Sequence, residues 1–122
     1  MAHGDITHID IPVADVHAAS RFYGTLFGWD IQEVPGFEGY PMWSAPNKIS
    51  GGGLAPRSDG FTAPRSYVEV DSIDDVLAQA TQLGGEVRLP KSPIDETSWW
   101  ASFVDPDGNE IGLFEGRVSG EG

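Results

Sequence analysis

The order β-α-β-β-β occurs twice along this chain of 122 residues, and this internal repeat restricts the fold more than any other feature. The segment IDIPVADV of the first half matches VEVDSIDDV of the second, at a spacing of roughly 57 residues. Two copies are too few for a solenoid, in which each repeat stacks only on its neighbours. The repeat therefore predicts an α+β fold built by duplication of one unit.

Alternating apolar and polar residues predict the first strand of the first copy over residues 6–13. Because side chains alternate across a strand, His8 and Asp10 should share the face opposite the neighbouring isoleucines. Asp15 then stands where a helix N-cap belongs, and apolar residues recur at helical spacing until Gly28. Short apolar runs separated by turns with Pro and Gly predict up to three further strands.

The second copy follows APRSDGFTAP, residues 55–64, which is the most linker-like segment of the chain. In its first strand Tyr67 and Glu69 alternate with valines, and Ser72 then caps a helix that should end at Gly84. Three strands close this copy, at residues 86–89, 99–104 and 110–115.

Length and composition predict a single domain over residues 1–122, with the two units at residues 5–56 and 64–116. Apolar residues make up 39% of the chain and aromatic residues 11%, which is typical of a globular protein. A chain of this length is too short for two ordinary domains. The absence of cysteine excludes disulfides, thiolate nucleophiles and thiolate metal ligands.

The formal net charge of −12 restricts the partners of the protein. Nucleic acid and anionic membrane surfaces would repel such a chain, although a cationic ligand is compatible with it. No apolar run approaches the roughly 18 residues of a membrane span, and the N-terminus lacks the features of a signal peptide. We therefore expect a cytoplasmic protein that binds a small molecule, and neither nucleic acid nor membrane.

Two segments connect this repeat to a known family: HIDIPVADVHAASRFYGTLFGW opens the first unit, and DPDGNEIGLFE closes the second. Together they resemble the vicinal oxygen chelate superfamily of glyoxalase I, bleomycin-resistance proteins, fosfomycin-resistance enzymes and extradiol dioxygenases. The resemblance covers residues 5–116 and points to the single-domain, glyoxalase-like members. It implies two βαβββ units that form a cupped mixed sheet, with helices outside and the ligand inside, and it implies a homodimer.

The metal site that this resemblance implies is mostly missing from the sequence. In metal-dependent relatives the first and last strands of each unit hold a divalent ion, and His8 matches one of these four positions. The matching residue of the second unit is Arg65, which cannot ligate a cation. In the closing strand the position falls on Gly112, whereas Glu115 lies on the opposite face. One histidine makes no Ni²⁺ or Zn²⁺ site, so we expect no metal and no other cofactor.

The alternation of side chains along each strand places a set of polar residues inside the implied cup. This set consists of His8, Asp10, Arg65, Tyr67 and Glu69, with Glu110 and Phe114 beside Gly112. Unpaired buried charges are costly, so the cup is either wet or occupied by a polar ligand. The same side chains could instead only pair with one another on an open sheet face, as His8 with Asp10 or Arg65 with Glu69.

One function that fits this set is a glyoxalase-like enzyme with lyase or isomerase chemistry on a carbonyl compound. The candidate acids and bases for abstracting a proton next to the carbonyl are His8, Asp10 and Glu69. Arg65 and Tyr67 would hold the developing oxyanion.

The alternative is a protein that sequesters a drug-like molecule without catalysis, as bleomycin-resistance relatives do. The further candidate ligand contacts are Trp43, Trp100, Glu110 and Phe114, although tryptophans more often belong to the core. A third hypothesis is a metal-dependent lyase or dioxygenase with Mn²⁺ or Fe²⁺ on shifted ligands, namely His8, Asp10, Glu69 and Glu110.

Overall fold

The computed structural model describes residues 3–47 and 50–116, which belong to two compact units. The N-terminal unit comprises residues 7–66, and the C-terminal unit comprises residues 3–6 and those from 67 onward. The element order is β-α-β-β-β in each half of the chain, so the α+β class and the duplicated order are confirmed. The expected unit bounds and the single domain stay predictions.

The N-terminal half carries four strands and one helix. They are β1 (Ile6–Val13), α1 (Val16–Phe27), β2 (Asp30–Gln32), β3 (Met42–Ser44) and β4 (Gly51–Pro56). The strand order is β2-β3-β4-β1, with β1 parallel to β4 and the other pairs antiparallel. The first and last strands of the copy therefore lie side by side, which brings their side chains onto common faces.

Capping residues determine both ends of α1. The Asp15 carboxylate accepts hydrogen bonds from the backbone N–H groups of Ala18 and His17, at 3.1 and 2.9 Å. These bonds lower the pKa of Asp15. Gly28 ends the helix in the left-handed conformation, with φ of 73°, which glycine adopts without strain. The sequence predicted both caps correctly.

The core of the N-terminal unit lies between the sheet and α1. Val13, Trp43 and Leu54 are its buried residues, and Ile9 and Ile11 of β1 pack against them together with apolar residues of α1. The rings of Trp43 and Trp29 stack with centroids 3.8 Å apart. Since Ile9 and Ile11 of β1 face the helix, His8 and Asp10 lie on the opposite, open face of the sheet.

The C-terminal half repeats this plan. Its elements are β5 (Arg65–Glu69), α2 (Ile73–Gln82), β6 (Glu86–Asp95), β7 (Ser98–Val104) and β8 (Glu110–Gly116). The strand order is β5-β8-β7-β6, with β5 parallel to β8 and the other pairs antiparallel. The core cluster consists of Val70, Ile73, Leu77, Ala101 and Leu113.

The predicted turn DPDG joins β7 to β8. Gly108 has φ of 92°, and its N–H donates to the Asp105 carbonyl at 2.9 Å. The Asp105 carboxylate accepts from the backbone N–H of Asn109 at 2.9 Å and from the Asn109 side-chain amide at 3.1 Å. These hydrogen bonds lower the pKa of Asp105 and fix the turn.

Strand β6 differs from the prediction, which ended it at residue 89. It continues to Asp95 through Pro90 and Pro93, with register shifts along its pairing to β7. It is an edge strand, at the end of the strand order. Among the described residues, one row of its backbone groups has no partner strand, so proline and bulges are tolerated there. Within residues 3–47 and 50–116, no helix is long and apolar enough to cross a membrane.

Candidate functional site

Three polar side chains of the N-terminal unit hydrogen-bond to one another on the open sheet face. His8 Nε2 lies 2.7 Å from Asp10 Oδ1 and 2.8 Å from the Tyr40 hydroxyl oxygen. The Tyr40 hydroxyl donates to the same Asp10 oxygen at 2.5 Å. The His8 side chain is 25% exposed and the Asp10 side chain 13%. This His8–Asp10–Tyr40 network is therefore sheltered, yet a small molecule can reach its histidine.

The hydrogen bonds restrict the positions of the protons in this network. Tyr40 has one hydroxyl proton and gives it to Asp10, so both short contacts of His8 require a proton on Nε2. A neutral His8 then carries its lone pair on Nδ1. The carboxylate beside Nε2–H would stabilise the imidazolium that forms when the ring takes up a second proton. The network is thus suited to accept a proton at His8.

Tyr40 reaches the network from the loop between β2 and β3. Gly36 and Gly39 adopt φ of 91° and 82° in this loop, which only glycine reaches easily. The Glu33 carboxylate accepts from the Gly39 N–H at 3.0 Å, and the Glu38 carboxylate from the Gly36 N–H at 3.1 Å. Hydrogen bonds from its own N–H and from Gly36 lower the pKa of Glu38. The loop is thereby held in one shape that presents Tyr40.

The ring of Tyr40 covers Gly53 of β4. In the parallel pairing of β1 with β4, Gly53 lies opposite Asp10. A Cβ atom at Gly53 would stand 2.2 Å from the Tyr40 ring, closer than any real contact. The Leu54 N–H donates to the Pro41 carbonyl at 2.9 Å and ties the end of the loop to β4. Glycine at this position is therefore what allows the phenol to lie flat against the sheet.

A groove of about 460 Å³ adjoins the network within the same unit. His8 forms part of its wall, with Asp30, Gln32, Met42 and Ser44 around it. Gln32 Nε2 donates to Asp30 Oδ1 at 3.0 Å. The size of this groove falls within the range of small-molecule sites, and a few polar groups converge on it.

The C-terminal unit carries an aromatic face instead. Tyr67 lies opposite Gly112 in the pairing of β5 with β8, and a Cβ atom at Gly112 would stand 2.4 Å from its ring. The rings of Tyr67 and Trp100 have centroids 6.1 Å apart. Trp100 lies opposite Phe114 in the pairing of β7 with β8. Three of the predicted ligand-binding residues therefore share one face, whereas Trp99 packs against the core.

The two remaining carboxylates of the predicted set lie in this unit. Glu110 accepts a hydrogen bond at 2.7 Å from the hydroxyl of Ser102, which is fully buried. Glu69 follows Tyr67 on β5, and its backbone N–H donates to the Asp5 carbonyl at 2.8 Å. The network of His8 and Asp10 belongs to the N-terminal unit, so the predicted catalytic role of Glu69 stays a prediction.

Arg65 and Trp43, also predicted ligand contacts, have other surroundings. The Arg65 guanidinium lies 4.7 Å from the centroid of the Phe61 ring and donates to the Gly60 carbonyl at 3.4 Å. Trp43 is only 6% exposed, in the core beneath α1. Trp43 therefore has the position of a core residue, although it also lines the groove beside His8, and its contact with a ligand stays a prediction.

Glu115 lies on the helix side of its strand, as parity predicted. Its Oε1 accepts from the Ile73 N–H, at the start of α2, at 2.8 Å. Lys91 Nζ lies 3.4 Å from the same oxygen. The carboxylate thus satisfies a backbone donor of the helix and a lysine, and it is a structural group.

The divalent ion of metal-dependent relatives does not fit these residues. The surviving ligand, His8, already presents Nε2 to two partners. The position in the closing strand is Gly112, and the Tyr67 ring fills the space above it. Among the described residues, no group of three or more His, Asp or Glu side chains could hold a metal. The hypothesis of a metal on shifted ligands therefore gains no support.

Tyr40 is the residue of this network that the sequence did not reveal. It lies in an irregular loop, 30 residues from Asp10 along the chain, so neither strand parity nor helical spacing assigns it a face. The one signal available was the glycine run of β4, because a glycine inside a strand often marks the close approach of another group.

A duplicated βαβββ fold with polar and aromatic side chains on open sheet faces defines a class of small-molecule enzymes and binding proteins. Comparison with known proteins agrees with this class. The family described as bleomycin resistance protein-like N-terminal matches residues 5–46. A glyoxylase-like domain-containing protein of Didymella fabae is 30% identical over 93 residues, which cover 69% of this chain and 71% of the relative.

A further relative is a putative glyoxylase of Mycobacterium bovis, CFP32, 31% identical over 88% of this chain. This chain spans only 44% of the length of that relative. Among solved structures, methylmalonyl-CoA epimerase from Mycobacterium tuberculosis has a TM-score of 0.72 at 17% identity, covering 99% of this chain and 94% of its own. The chain belongs to the vicinal oxygen chelate superfamily, the group of glyoxalases, bleomycin-resistance proteins and dioxygenases.

Proposed function

We propose that this protein is a small-molecule enzyme that carries out acid–base chemistry on a carbonyl compound, at the His8–Asp10–Tyr40 network and without a divalent metal. The observation that supports this most strongly is the mutual hydrogen bonding of the three side chains, within 2.5 to 2.8 Å. A polar network on a sheltered sheet face, beside a groove of ligand size, is typical of a catalytic site.

Each side chain has a distinct role in this proposal. His8 accepts the proton from the carbon next to the carbonyl, and Asp10 stabilises the resulting imidazolium. When substrate binds, the Tyr40 hydroxyl turns its one proton from Asp10 to the carbonyl oxygen, where negative charge develops as the enolate forms. Return of the proton from His8 to the neighbouring carbon of an enediolate completes an isomerisation. An epimerisation would need a second acid on the opposite face of the enolate, because one imidazole delivers its proton from its own side.

The comparisons support carbonyl chemistry as the reaction class. The relatives are named glyoxylases, and several structural neighbours are methylmalonyl-CoA epimerases, one of them in complex with methylmalonyl-CoA. At 18% identity these neighbours share the fold, so the reaction is inferred from the residues of this chain. We propose Arg65 and Tyr67 as further ligand contacts, and Glu69 as a further acid–base group.

Exchange of a substrate proton in D₂O tests this proposal without knowledge of the product. The probes are α-branched acyl thioesters and hemithioacetals of 2-oxoaldehydes, followed by proton NMR. We expect wild-type protein to exchange the α-proton of at least one probe. His8→Gln and Asp10→Asn should slow the exchange by about 10²–10⁴-fold, the usual contribution of general acid–base catalysis.

His17→Gln is the matched control, because His17 is exposed on α1 and away from the network. It should exchange at the wild-type rate. An exchange rate that His8→Gln leaves unchanged would contradict the proposed role of His8.

The second candidate function is sequestration of a drug-like molecule. The aromatic face of Tyr67, Trp100 and Phe114 favours it, because such rings provide most of the contact area in apolar ligand sites. The match to the bleomycin-resistance-like family agrees with it. Equilibrium dialysis with cationic aromatic compounds tests this function: a bound ligand recovered unchanged, with affinity lost in Trp100→Ala but kept in Phe22→Ala, would support it.

We also propose a cytoplasmic homodimer. Phe22, Leu26 and Phe27 of α1 are each more than half exposed, and α1 contains no acidic residue although the chain has a net charge of −12. An exposed apolar surface that lacks acidic side chains is where a second copy of an acidic chain can bind with the least repulsion. Light scattering on wild-type protein and on Phe22→Ser/Leu26→Ser should give a dimer and a monomer, respectively; a monomeric wild type would exclude the dimer.

A further inference from the structure

We infer that Tyr40 and Gly53 together keep divalent metal out of the His8–Asp10 face. The Tyr40 ring occupies the space where a closing-strand ligand would stand, and its hydroxyl contacts the imidazole nitrogen Nε2 of His8. This inference concerns the same site as the proposed function and deepens it. It does not require that the proposed reaction be correct, because metal binding is measured without any substrate.

Strand register shows that both closing strands have a glycine at the same place. Gly53 of β4 lies opposite Asp10, and Gly112 of β8 lies opposite Tyr67. Asp10 precedes the buried Val13 by three residues, and Tyr67 precedes the buried Val70 by the same number. The two glycines are therefore equivalent positions of the duplicated unit.

A tyrosine ring covers each of these two glycines within its own unit. A Cβ atom would stand 2.2 Å from the Tyr40 ring at Gly53, and 2.4 Å from the Tyr67 ring at Gly112. A carboxylate-bearing side chain at either position would need the ring to leave. The space beside each first strand is thus filled by a phenol ring, and at Gly53 the protonated Tyr40 hydroxyl is already hydrogen-bonded to Asp10.

The hydroxyl of Tyr40 adds a second obstacle. A zinc-type ion needs a deprotonated imidazole nitrogen, but the contacts of His8 Nε2 with Asp10 and Tyr40 place a proton on that atom. Binding through Nε2 would require loss of this proton and of two hydrogen bonds of 2.7 and 2.8 Å. The network therefore replaces a metal site with a set of hydrogen bonds.

The inference predicts that removal of the ring and addition of a carboxylate create a metal site. In Tyr40→Ala/Gly53→Glu, the new carboxylate would lie opposite Asp10 and near His8, which gives three nitrogen and oxygen donors on one sheet face. Isothermal titration calorimetry with Zn²⁺ and Mn²⁺ should show one bound equivalent for this double variant. Wild type, Tyr40→Ala and Tyr40→Phe should show none.

Two results would overturn the inference. One is a stoichiometric Zn²⁺ or Mn²⁺ ion on wild-type protein that His8→Ala removes. The other is a double variant with a folded circular dichroism spectrum that binds no metal. If the double variant does not fold, the wild-type titration decides. Failure of proton exchange would contradict the proposed function and leave this result untouched, so the two can be distinguished.

Discussion

The two halves of this protein share a backbone plan and use it for different purposes. Both place a glycine at the same register position of the closing strand and cover it with a tyrosine. In the N-terminal unit the tyrosine comes from a loop, and its hydroxyl bonds His8 and Asp10. In the C-terminal unit it comes from β5 itself, beside Trp100. Duplication has kept the backbone features, while the chemistry of the open faces has diverged.

The helices show a second difference between the halves. None of the residues of α1 is buried, whereas α2 buries Ile73 and Leu77. The start of α2 is also tied to the sheet by the Glu115 carboxylate, which accepts from the Ile73 N–H at 2.8 Å. Helix α2 is thus the more deeply buried of the two helices, and the N-terminal unit carries the polar network.

Truncation of the two equivalent core leucines tests whether the halves are equally dependent on their cores. Leu54 is fully buried and Leu113 is 2% exposed. Leu54→Ala and Leu113→Ala should each lower the free energy of unfolding by about 2–5 kcal/mol, because each leaves a cavity. Urea denaturation followed by circular dichroism measures both. A loss confined to one variant would show that the two cores do not contribute alike.

Addition of a methyl group to the two covered glycines compares the two tyrosines. Gly53→Ala and Gly112→Ala should each cost about 1–3 kcal/mol, because the new Cβ collides with a ring. The loss should be larger for Gly112→Ala, because Tyr67 is only 7% exposed on a strand, whereas Tyr40 is less buried and lies outside the strands. Thermal denaturation checks the order. The reverse order would mean that the loop holds Tyr40 more rigidly than β5 holds Tyr67.

The start of α2 offers a smaller test. The Ser72 hydroxyl accepts from the Asp75 N–H at 3.2 Å, so Ser72→Ala should cost about 0.5–2 kcal/mol. Glu115→Gln should lower the free energy of unfolding by less than Ser72→Ala does, since the amide oxygen can still accept the hydrogen bond from the Ile73 N–H. Chemical denaturation measures both variants. A larger loss in Glu115→Gln would show that the ion pair with Lys91 carries more of the stability than the cap does.

The turn between β7 and β8 should make a small, pH-dependent contribution. The hydrogen bonds from Asn109 hold the pKa of Asp105 below its usual value in the folded protein. Ionised Asp105 therefore stabilises the fold at pH values above about 3.9, its unfolded value. This contribution is lost as the pH falls through the lower folded pKa. The stability difference between wild type and Asp105→Asn should shrink at acidic pH; a difference independent of pH would exclude this role.

Much of the fold was predictable because its signals are local. The caps Asp15 and Ser72, the stop at Gly28 and the DPDG turn each depend on residues within a few positions. Strand parity placed His8 and Asp10 on one face and Glu115 on the other, since alternation is a property of the strand itself. Parity could not foresee that β6 continues past Pro90, because tolerance for proline depends on which strand is terminal.

The sequence by itself determined the duplicated α+β fold and the family, and it predicts that most positions that ligate metal in relatives carry other residues here. Only the tertiary structure decided that Tyr40 completes the site and that tyrosine rings cover Gly53 and Gly112. The physical reason is the range of the interactions. Periodicity and capping act between near neighbours in the chain, whereas the bond from Tyr40 to Asp10 spans 30 residues and depends on loop geometry and strand register.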